Sequence, residues 1–308
     1  MRTALAVLLA SAVHVPPGYT VSTYATGLTH PTAVAFGPDR RLYVAEDIGR
    51  IVTVTRGATT PRTFATALET PLGLLWRGRT LYVSQSGRVD ALYLNGRRRT
   101  VLAGLPYRRH QQNAIVAGPD GRLYLGSGST CDACIEHDRR SAAILSFRPD
   151  GTDLRVVAIG LRNPYGLFFR GRNLYVTVNG RDDLGEWEPA EEVVLVRRGR
   201  DFGWPACWPS WRLRRLVGAC RGVSAPIAYL EPHSSADGIA TWRGDLFVAE
   251  WGEYYSSRHG RRLVRIRRGR VTTFATGFDH PLAVAVDPSG GLLVADWGRG
   301  TIYRIRKR

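Results

Sequence analysis

Residues 114 to 128 read AIVAGPDGRLYLGSG, two short apolar runs joined by a turn of Gly, Pro, Asp and Arg. The runs are rich in β-branched, aromatic and small residues over a few positions, which is typical of β-strands. The turn residues favour a tight connection between neighbouring strands. This stretch therefore predicts a β-hairpin.

The hairpin pattern recurs along the chain. Its six copies begin at His30, Thr70, Gln111, Asn163, Ser235 and His280. Each copy ends in LYV or a close variant, and most are followed by a third apolar run, such as GRIVTVTRG, and a fourth, such as VLAGL. Four strands per repeat of roughly 40 residues or more predict a six-bladed β-propeller, an all-β fold with four-stranded antiparallel blades.

The two ends of the chain complement each other. The last repeat stops after its third strand, GTIYRIRKR, whereas the segment YTVSTYATGL from Tyr19 matches the fourth-strand sequence VTTFATGF. We therefore expect the N-terminal strand to complete the last blade. Such closure leaves no open sheet edge at the junction.

The first residues have a different character. Residues 1–13 combine a basic start, an apolar run and the small residues Ala10-Ser11-Ala12, which predicts a secretory signal peptide and a periplasmic or secreted protein. A buried first strand is the alternative. We expect residues 14–308 to form a single propeller domain with loop insertions near 128–142 and 181–233. No other apolar run is long enough for a transmembrane segment.

The chain is strongly basic. Its formal net charge is +17, and Lys307 is the only lysine, so arginine carries nearly all the positive charge. The arginines are scattered through turns instead of lying on one arm or helix face, which does not favour a nucleic-acid partner. Attraction of acidic small molecules or surfaces is the safer expectation.

Four cysteines form two local pairs, Cys131 with Cys134 and Cys207 with Cys220, and both pairs lie in the predicted insertions. An even number of cysteines in an exported chain predicts two disulfides. A zinc site formed by Cys131, Cys134 and His137 is the alternative.

Two polar positions lead into each hairpin. The first holds Thr29, Glu69, His110, Arg162, Ser234 and Asp279. The second holds His30, Thr70, Gln111, Asn163, Ser235 and His280. In a propeller these positions border one end of the central channel, so we expect a ligand site there. His110 differs from the other two histidines because amides, not a proline, follow it.

Several motifs occur in a fixed order: His110-Gln111, GPDGRLYLGSG, ILSFRPDG, GLRNPYGL, NGRDDLG and FGWP. This combination resembles the soluble quinoprotein glucose/sorbosone dehydrogenases, and most closely their sorbosone-dehydrogenase-like branch. The resemblance covers nearly all of the mature chain. It implies a six-bladed propeller that binds pyrroloquinoline quinone (PQQ) and Ca²⁺ and oxidises an aldose or a related polyhydroxy aldehyde or alcohol. Electrons would pass to a soluble or membrane acceptor.

The resemblance also implies roles for particular residues. His110 would be the general base, which takes the hydroxyl proton while hydride passes to the quinone. Cofactor contacts would come from Gln111, Arg162, Asn163, Arg258 and His280. Backbone carbonyls of Gly180 and Arg181 would ligate the cofactor calcium, and Glu191 and Glu192 would bind a second, structural calcium. The acidic sequence NGRDDLGEWEPAEE agrees with calcium binding, although a solvated acidic loop is the alternative.

Three positions depart from the family pattern. Ser129 stands where the family has a carboxylate partner for the histidine. His280 and Leu282 stand where it often has arginines, and Arg258 is a substitute for its cofactor lysine. These differences put cofactor affinity and rate in question more than the fold.

Two other functions remain open. A calcium-dependent hydrolase such as a lactonase would need ligands converging in the channel, for which Glu69, Asn163 and Asp279 are candidates. A non-enzymatic binding propeller could use a platform of Trp204, Trp208 and Trp211, although these residues could equally pack the insertion.

Overall fold

The structure is a computed structural model that describes residues 13–254 and 256–308. Residues 1–12 of the predicted signal peptide lie outside the described residues. The described part consists of strands and loops and contains no helix, and therefore none that is long and apolar enough to cross a membrane. The prediction of an all-β chain is confirmed.

The strands form six blades with four antiparallel strands each; the sheet of the third blade gains a fifth strand from the larger insertion, which also contains a separate two-stranded hairpin. The chain starts with β1 (Tyr19–Ala25), and the first blade follows with β2 (Pro31–Phe36), β3 (Leu42–Glu46), β4 (Arg50–Val54) and β5 (Arg62–Ala65). The second blade contains β6 (Gly73–Arg77), β7 (Thr80–Gln85), β8 (Arg88–Tyr93) and β9 (Arg98–Leu102). The third contains β10 (Gln112–Ala117), β11 (Leu123–Ser127), β12 (Ala143–Phe147) and β13 (Arg155–Ile159).

The fourth blade carries the larger insertion. Its strands are β14 (Asn163–Arg170), β15 (Asn173–Asn179), β16 (Glu191–Val196) and, after the insertion, β20 (Ala228–Leu230). The insertion holds β17 (Arg200–Asp201), which pairs in parallel with β13, and the hairpin β18 (Cys207–Ser210) and β19 (Arg215–Gly218). The fifth blade contains β21 (Ala236–Trp242), β22 (Asp245–Glu250), β23 (Arg262–Arg267) and β24 (Arg270–Ala275). The last contains β25 (Pro281–Val286), β26 (Leu292–Asp296) and β27 (Thr301–Lys307).

Strand β1 closes the ring. It pairs antiparallel with β27, with Tyr19 opposite Lys307 and Thr23 opposite Tyr303, so the last sheet has the order β1-β27-β26-β25. The prediction that the N-terminal strand completes the last blade is confirmed. The six-bladed propeller follows from this pairing.

The hydrophobic core lies between the blades. Between the first and last blades, Val44 and Val52 pack with Leu293 and Ala295, and each further cluster likewise joins neighbouring blades. Full burial of one such side chain contributes about 1.5–3 kcal/mol. These contacts hold the blades at fixed angles, so the loops at one end of the channel keep constant positions.

The innermost strands β2, β6, β10, β14, β21 and β25 surround the channel. Their residues enclose a cavity of about 410 Å³ with a mainly apolar wall that includes Leu74, Ile115 and Leu282. The polar leading positions lie at the end of the channel where these strands begin. We call this end the mouth.

Candidate active site

Buried side chains at the ends of second strands hold several leading positions. Glu46 accepts a hydrogen bond from the backbone of Thr29 at 2.7 Å, and Asp296 accepts one from the backbone of Asp279 at 2.8 Å. Both carboxylates are fully buried. Because buried polar groups need hydrogen-bond partners, these pairs fix the course of the chain at the mouth.

His110 is held differently. Its backbone N–H donates to the carbonyl of Ser129 at 3.0 Å. A Cβ atom added to Gly128 would lie 2.3 Å from the Cβ of His110, so only glycine at residue 128 leaves room for the histidine. The GSG sequence after β11 therefore positions His110 at the mouth.

The imidazole of His110 has a defined tautomer. Its Nδ1 lies 2.9 Å from the hydroxyl oxygen of Ser129, and that hydroxyl donates to the carbonyl oxygen of Cys131 at 2.6 Å. A hydroxyl has one proton, and a carbonyl oxygen can only accept. The Nδ1 atom must therefore carry the proton that binds Ser129, which leaves Nε2 with its lone pair free.

His110 is a neutral base in this structure. Burial lowers its pKa most, and the positive charges of Arg162 and Arg109 lower it further, to about 3. Asp182 opposes this shift. Burial and the nearby positive charges both disfavour the charged imidazole, so the neutral form of the ring is favoured.

Arg162 lies beside His110 and is the buried member of a cluster of charges. Its side chain is 4% exposed and donates to the carboxylates of Asp132 and, at 2.7 Å, Asp182. Arg109 donates to Asp182 at 2.6 Å. Asp132 is the second residue of the CDAC sequence, so the smaller insertion contributes directly to the site. The sequence analysis missed Arg109 and Asp132, and Asp132 is 30 residues from Arg162 along the chain, so no local pattern links the two.

His233 adds another positive charge to this cluster. Its Nδ1 lies 3.8 Å from the carboxylate of Asp182, and this neighbouring carboxylate does most to raise the pKa of His233 to about 9. Burial alone would raise the pKa of Asp182, but the proximity of His233 and the charges of Arg162 and Arg109 hold it well below its usual range. Both shifts favour the charged forms of His233 and Asp182.

The amides after His110 divide into two groups. The side chain of Gln111 is partly exposed at the mouth, whereas Gln112 and Asn113 are buried. Gln112 accepts from the backbone of Gly87 at 2.7 Å, and Asn113 donates to the Oδ1 atom of Asn163 at 2.7 Å. The two buried amides therefore join neighbouring blades, whereas His110 and Gln111, at the two leading positions, are partly exposed.

The predicted calcium residues come together beneath the larger insertion. Glu191 accepts a hydrogen bond from the backbone of Gly180, and a cavity of about 20 Å³ lies between Gly180, Arg181 and Glu192. Burial raises the pKa of Glu191 to about 7. Burial and the neighbouring Glu191 raise that of Glu192 to about 8. Both pKa values rise mainly because burial removes water from the carboxylates and so disfavours their charged forms.

The remaining predicted cofactor residues lie farther apart. Arg258 is 74% exposed and pairs with Glu186 at 2.7 Å, on the outside of the mouth. His280 is buried, with its ring centroid 4.2 Å from that of Trp251. Leu282 lines the channel below. The structure thus brings His280 close to the mouth but leaves Arg258 at its edge.

An aromatic wall faces this side of the mouth. We give this name to Trp251, Tyr254, Trp297 and His30. The rings of His30 and Trp297 stack at 3.9 Å, and Trp297 donates to Asp47 at 2.9 Å. Sequence reasoning missed the wall, although AEW and ADW at the ends of the fifth and sixth hairpins were its signal.

Both cysteine pairs form disulfides, Cys131 with Cys134 and Cys207 with Cys220, as predicted. The sulfur atoms of Cys131 and Cys134 are therefore not available for the alternative zinc site with His137. Trp204 donates to the backbone carbonyl of Asp132 at 3.0 Å, which joins the two insertions.

The other tryptophans of the insertion have internal contacts. Trp208 lies under the guanidinium of Arg181, 5.6 Å away, and Trp211 lies 3.8 Å from that of Arg214. These contacts favour the view that the tryptophans pack the insertion.

The ligands proposed for a hydrolase do not converge. Asn163 is occupied by Asn113, Asp279 lies 3.4 Å from Arg261, and Glu69 is exposed. Among the described residues, one group of three His, Cys, Asp or Glu side chains is close enough to hold a metal ion, and it includes the cysteines of a disulfide.

Neither the protein-family models nor the curated proteins include a match to this chain. Solved structures do match it. A putative oxidoreductase (glucose dehydrogenase) from Thermus thermophilus is 26% identical, with a TM-score of 0.76 over 94% of this chain and 100% of that one.

Two further solved structures match this chain over nearly its whole length. The holo pyranose dehydrogenase PQQ domain from Coprinopsis cinerea is 18% identical, with a TM-score of 0.84 over 96% of this chain and 97% of that one. The PQQ-bound aldose sugar dehydrogenase from Streptomyces coelicolor is 22% identical, with a TM-score of 0.75 over 95% of this chain and 100% of that one. The resemblance to quinoprotein sugar dehydrogenases predicted from the sequence is therefore confirmed at the level of the fold.

Proposed function

We propose that this protein is a PQQ-dependent dehydrogenase that oxidises an aldose or a related polyhydroxy aldehyde or alcohol. The observation that carries the proposal is the free Nε2 atom of His110 beside the buried Arg162 at the channel mouth. A base and a fixed positive charge are the two groups that oxidation of an alcohol requires from the protein.

The charges at the mouth fit PQQ, which has three carboxylates and a planar ring system. Arg162, Arg109 and the cationic His233 can bind carboxylates, and arginine does so in a two-pronged geometry. The aromatic wall offers ring faces on which a planar ligand or a sugar can stack. The donor set therefore suits an anionic aromatic cofactor.

The acidic residues fit Ca²⁺. The carboxylates of Glu191 and Glu192 are buried and form no ion pair with a described residue, and Oδ1 of the adjacent Asn179 is buried without a hydrogen bond from the described residues. Carboxylate, amide and backbone carbonyl oxygens are the ligands that calcium prefers. Glu191 and Glu192 would hold a structural ion, and the carbonyls of Gly180 and Arg181 would hold the ion of the cofactor.

The chain's own residues have separate tasks in the reaction. When bound, PQQ supplies a quinone that takes two electrons and one hydrogen from the sugar carbon. The Nε2 atom of His110 accepts the proton of the sugar hydroxyl, and Ser129 keeps Nδ1 as the donor throughout. Arg162 stabilises the negative charge that develops beside it. An anionic ligand would also offset the arginine charges and bring the pKa of His110 closer to working pH.

The two disulfides support a periplasmic or secreted location, because disulfides persist in oxidising compartments. A soluble or membrane electron acceptor fits such a location. The proposed dehydrogenase activity does not depend on this location or on the nature of the acceptor.

The test is dye reduction by purified protein supplied with PQQ and Ca²⁺, over a broad panel of aldoses and polyols. We expect reduction that depends on both additions. If no sugar reduces the dye although PQQ binds, the substrate class is wrong. If PQQ does not bind, the cofactor is wrong, and hydrolysis of lactones without quinone becomes the function to test.

A further inference from the structure

The positive charge is distributed unequally over the two ends of the propeller. We call the end opposite the mouth the basal face. It consists of the turns that join the first to the second and the third to the fourth strand of each blade, except that in the fourth blade the second turn joins β16 to β17 of the insertion. Their sequences are GPDRR, TRGATTP, GR, LNGR, GPDGR, RPDGTDL, GR, RRG, RG, RG and DPSGG.

These turns contain twelve arginines but only five acidic residues. In all the other connections between β1 and β27, basic and acidic residues are equal in number. The excess of positive charge is therefore concentrated on the face away from the candidate active site.

Many basal arginines have no role within the fold. The side chains of Arg79, Arg172, Arg198, Arg243 and Arg268 are exposed, and none forms an ion pair or hydrogen bond with another described residue. Crowding of like charges works against the compact state. The concentration of these arginines on one face therefore does not stabilise the folded protein. It is the charge pattern expected of a surface that binds an anionic partner.

The shape of the basal face favours a planar partner. Its turns are two to seven residues long, whereas the long insertions of the third and fourth blades contribute to the mouth. The arginines occur in five of the six blades instead of along one stripe. A duplex nucleic acid would contact only one stripe of such a disc. The basal turns also lack aromatic residues, on which single strands stack.

We propose that the basal face docks on an anionic phospholipid bilayer. Because the arginines surround a flat face, all of them would come close to a flat membrane surface at the same time. Each would then lie within the Debye length, about 10 Å at 0.1 M salt, over which anionic lipids attract a positive charge. Leu94, exposed at the tip of a basal turn, adds an apolar contact. This orientation leaves the mouth facing the solution. The inference does not depend on the dehydrogenase activity.

The test is sedimentation of the full protein with vesicles of phosphatidylcholine, with and without about 30% phosphatidylglycerol. We expect binding only to the anionic vesicles at about 0.05 M salt and its loss at about 0.5 M. In the triple variant Arg79→Glu, Arg172→Glu and Arg243→Glu, the partition coefficient should fall at least about tenfold. The thermal midpoint shows that the variant is folded.

A matched control makes the same charge change on the other end of the molecule. The variant Arg108→Glu, Arg139→Glu and Arg221→Glu replaces three exposed arginines outside the basal turns. Its partition coefficient on anionic vesicles should fall less than about twofold. The proposal is overturned if wild-type protein ignores anionic vesicles or if both variants lose binding equally. Displacement of the protein from vesicles by a short DNA duplex that binds more tightly would instead identify nucleic acid as the partner.

Discussion

The Nδ1 atom of His110 lies 2.9 Å from the hydroxyl oxygen of Ser129, and the hydroxyl donates onward to Cys131. This chain of bonds fixes the imidazole with Nε2 as the proton acceptor. The resemblance had led us to regard Ser129 as a loss, since the family has a carboxylate there. A serine keeps the tautomer without adding negative charge, so its effect is on the pKa of His110 and not on its orientation.

Replacement of Ser129 by alanine should remove the hydrogen bond that keeps the proton on Nδ1 of His110. We expect the rate of sugar oxidation to fall about 10- to 100-fold, the range found for partners that orient metal-binding histidines. Ser129→Thr keeps the hydroxyl and is the control. Nitrogen-15 chemical shifts of His110 report the tautomer independently of activity. An Nδ1–H signal unchanged in Ser129→Ala would contradict this role.

The disulfide between Cys131 and Cys134 should matter more to the site than the other one. The loop it closes provides the carbonyl that binds Ser129 and the carboxylate that binds Arg162. We expect Cys131→Ser with Cys134→Ser to lose most of the PQQ affinity, measured by fluorescence titration. The matched variant Cys207→Ser with Cys220→Ser should lose stability with a smaller change in affinity. Equal losses of affinity would refute the distinction.

Calcium should stabilise the protein more as pH rises. The folded-state pKa values of Glu191 and Glu192, about 7 and about 8, lie above the ordinary 4.5. The folded state therefore holds these protons more tightly, and the free energy of unfolding falls as pH rises from about 5 to about 8. Calcium requires the ionised carboxylates, so its stabilising effect should grow over the same interval.

The measurement is the thermal midpoint with Ca²⁺ or with chelator, at several pH values. Glu192→Gln should reduce both the pH slope and the calcium effect, while Glu186→Gln, at an exposed carboxylate, should change neither. A calcium effect of equal size at pH 5 and pH 8 would count against this site.

The aromatic wall should contribute to binding of sugar or cofactor. Trp297 stacks on His30 and is fixed by Asp47, which makes it a rigid surface. Loss of one aromatic stacking partner costs about 0.5–1.5 kcal/mol, so Trp297→Ala should raise KM or the PQQ dissociation constant several-fold with a smaller change in kcat. Trp211→Ala, in the insertion, is the control. A fall in kcat alone would assign the wall a different role.

The fold could be predicted from the sequence because each blade repeats the same local signal. The hairpin around residues 118–122, repeated six times, was enough to predict the blades, and the match of Tyr19 to a fourth strand predicted their closure. Alignment of the repeats also identified His110 and Arg162, since both occupy leading positions at the mouth.

The rest of the site could not be read from the repeats. Asp132 and Asp182 are 50 residues apart and meet through two insertions, whose shapes no repeat determines. Gln112 and Asn113 directly follow the two leading positions, but their buried side chains bind the neighbouring blades, because buried amides need hydrogen-bond partners. Spacing along the sequence does not distinguish these amides from Gln111, whose side chain reaches the mouth.

The most direct test of the account is an anaerobic absorbance titration of calcium-loaded protein with PQQ, followed by addition of aldose. We predict a spectral change on binding and then reduction by sugar in the wild type. His110→Gln should bind PQQ but show reduction slowed by about 10²–10⁴-fold, while His137→Gln, an exposed histidine, should behave like the wild type. Reduction at an undiminished rate in His110→Gln would contradict the claim that His110 is the base.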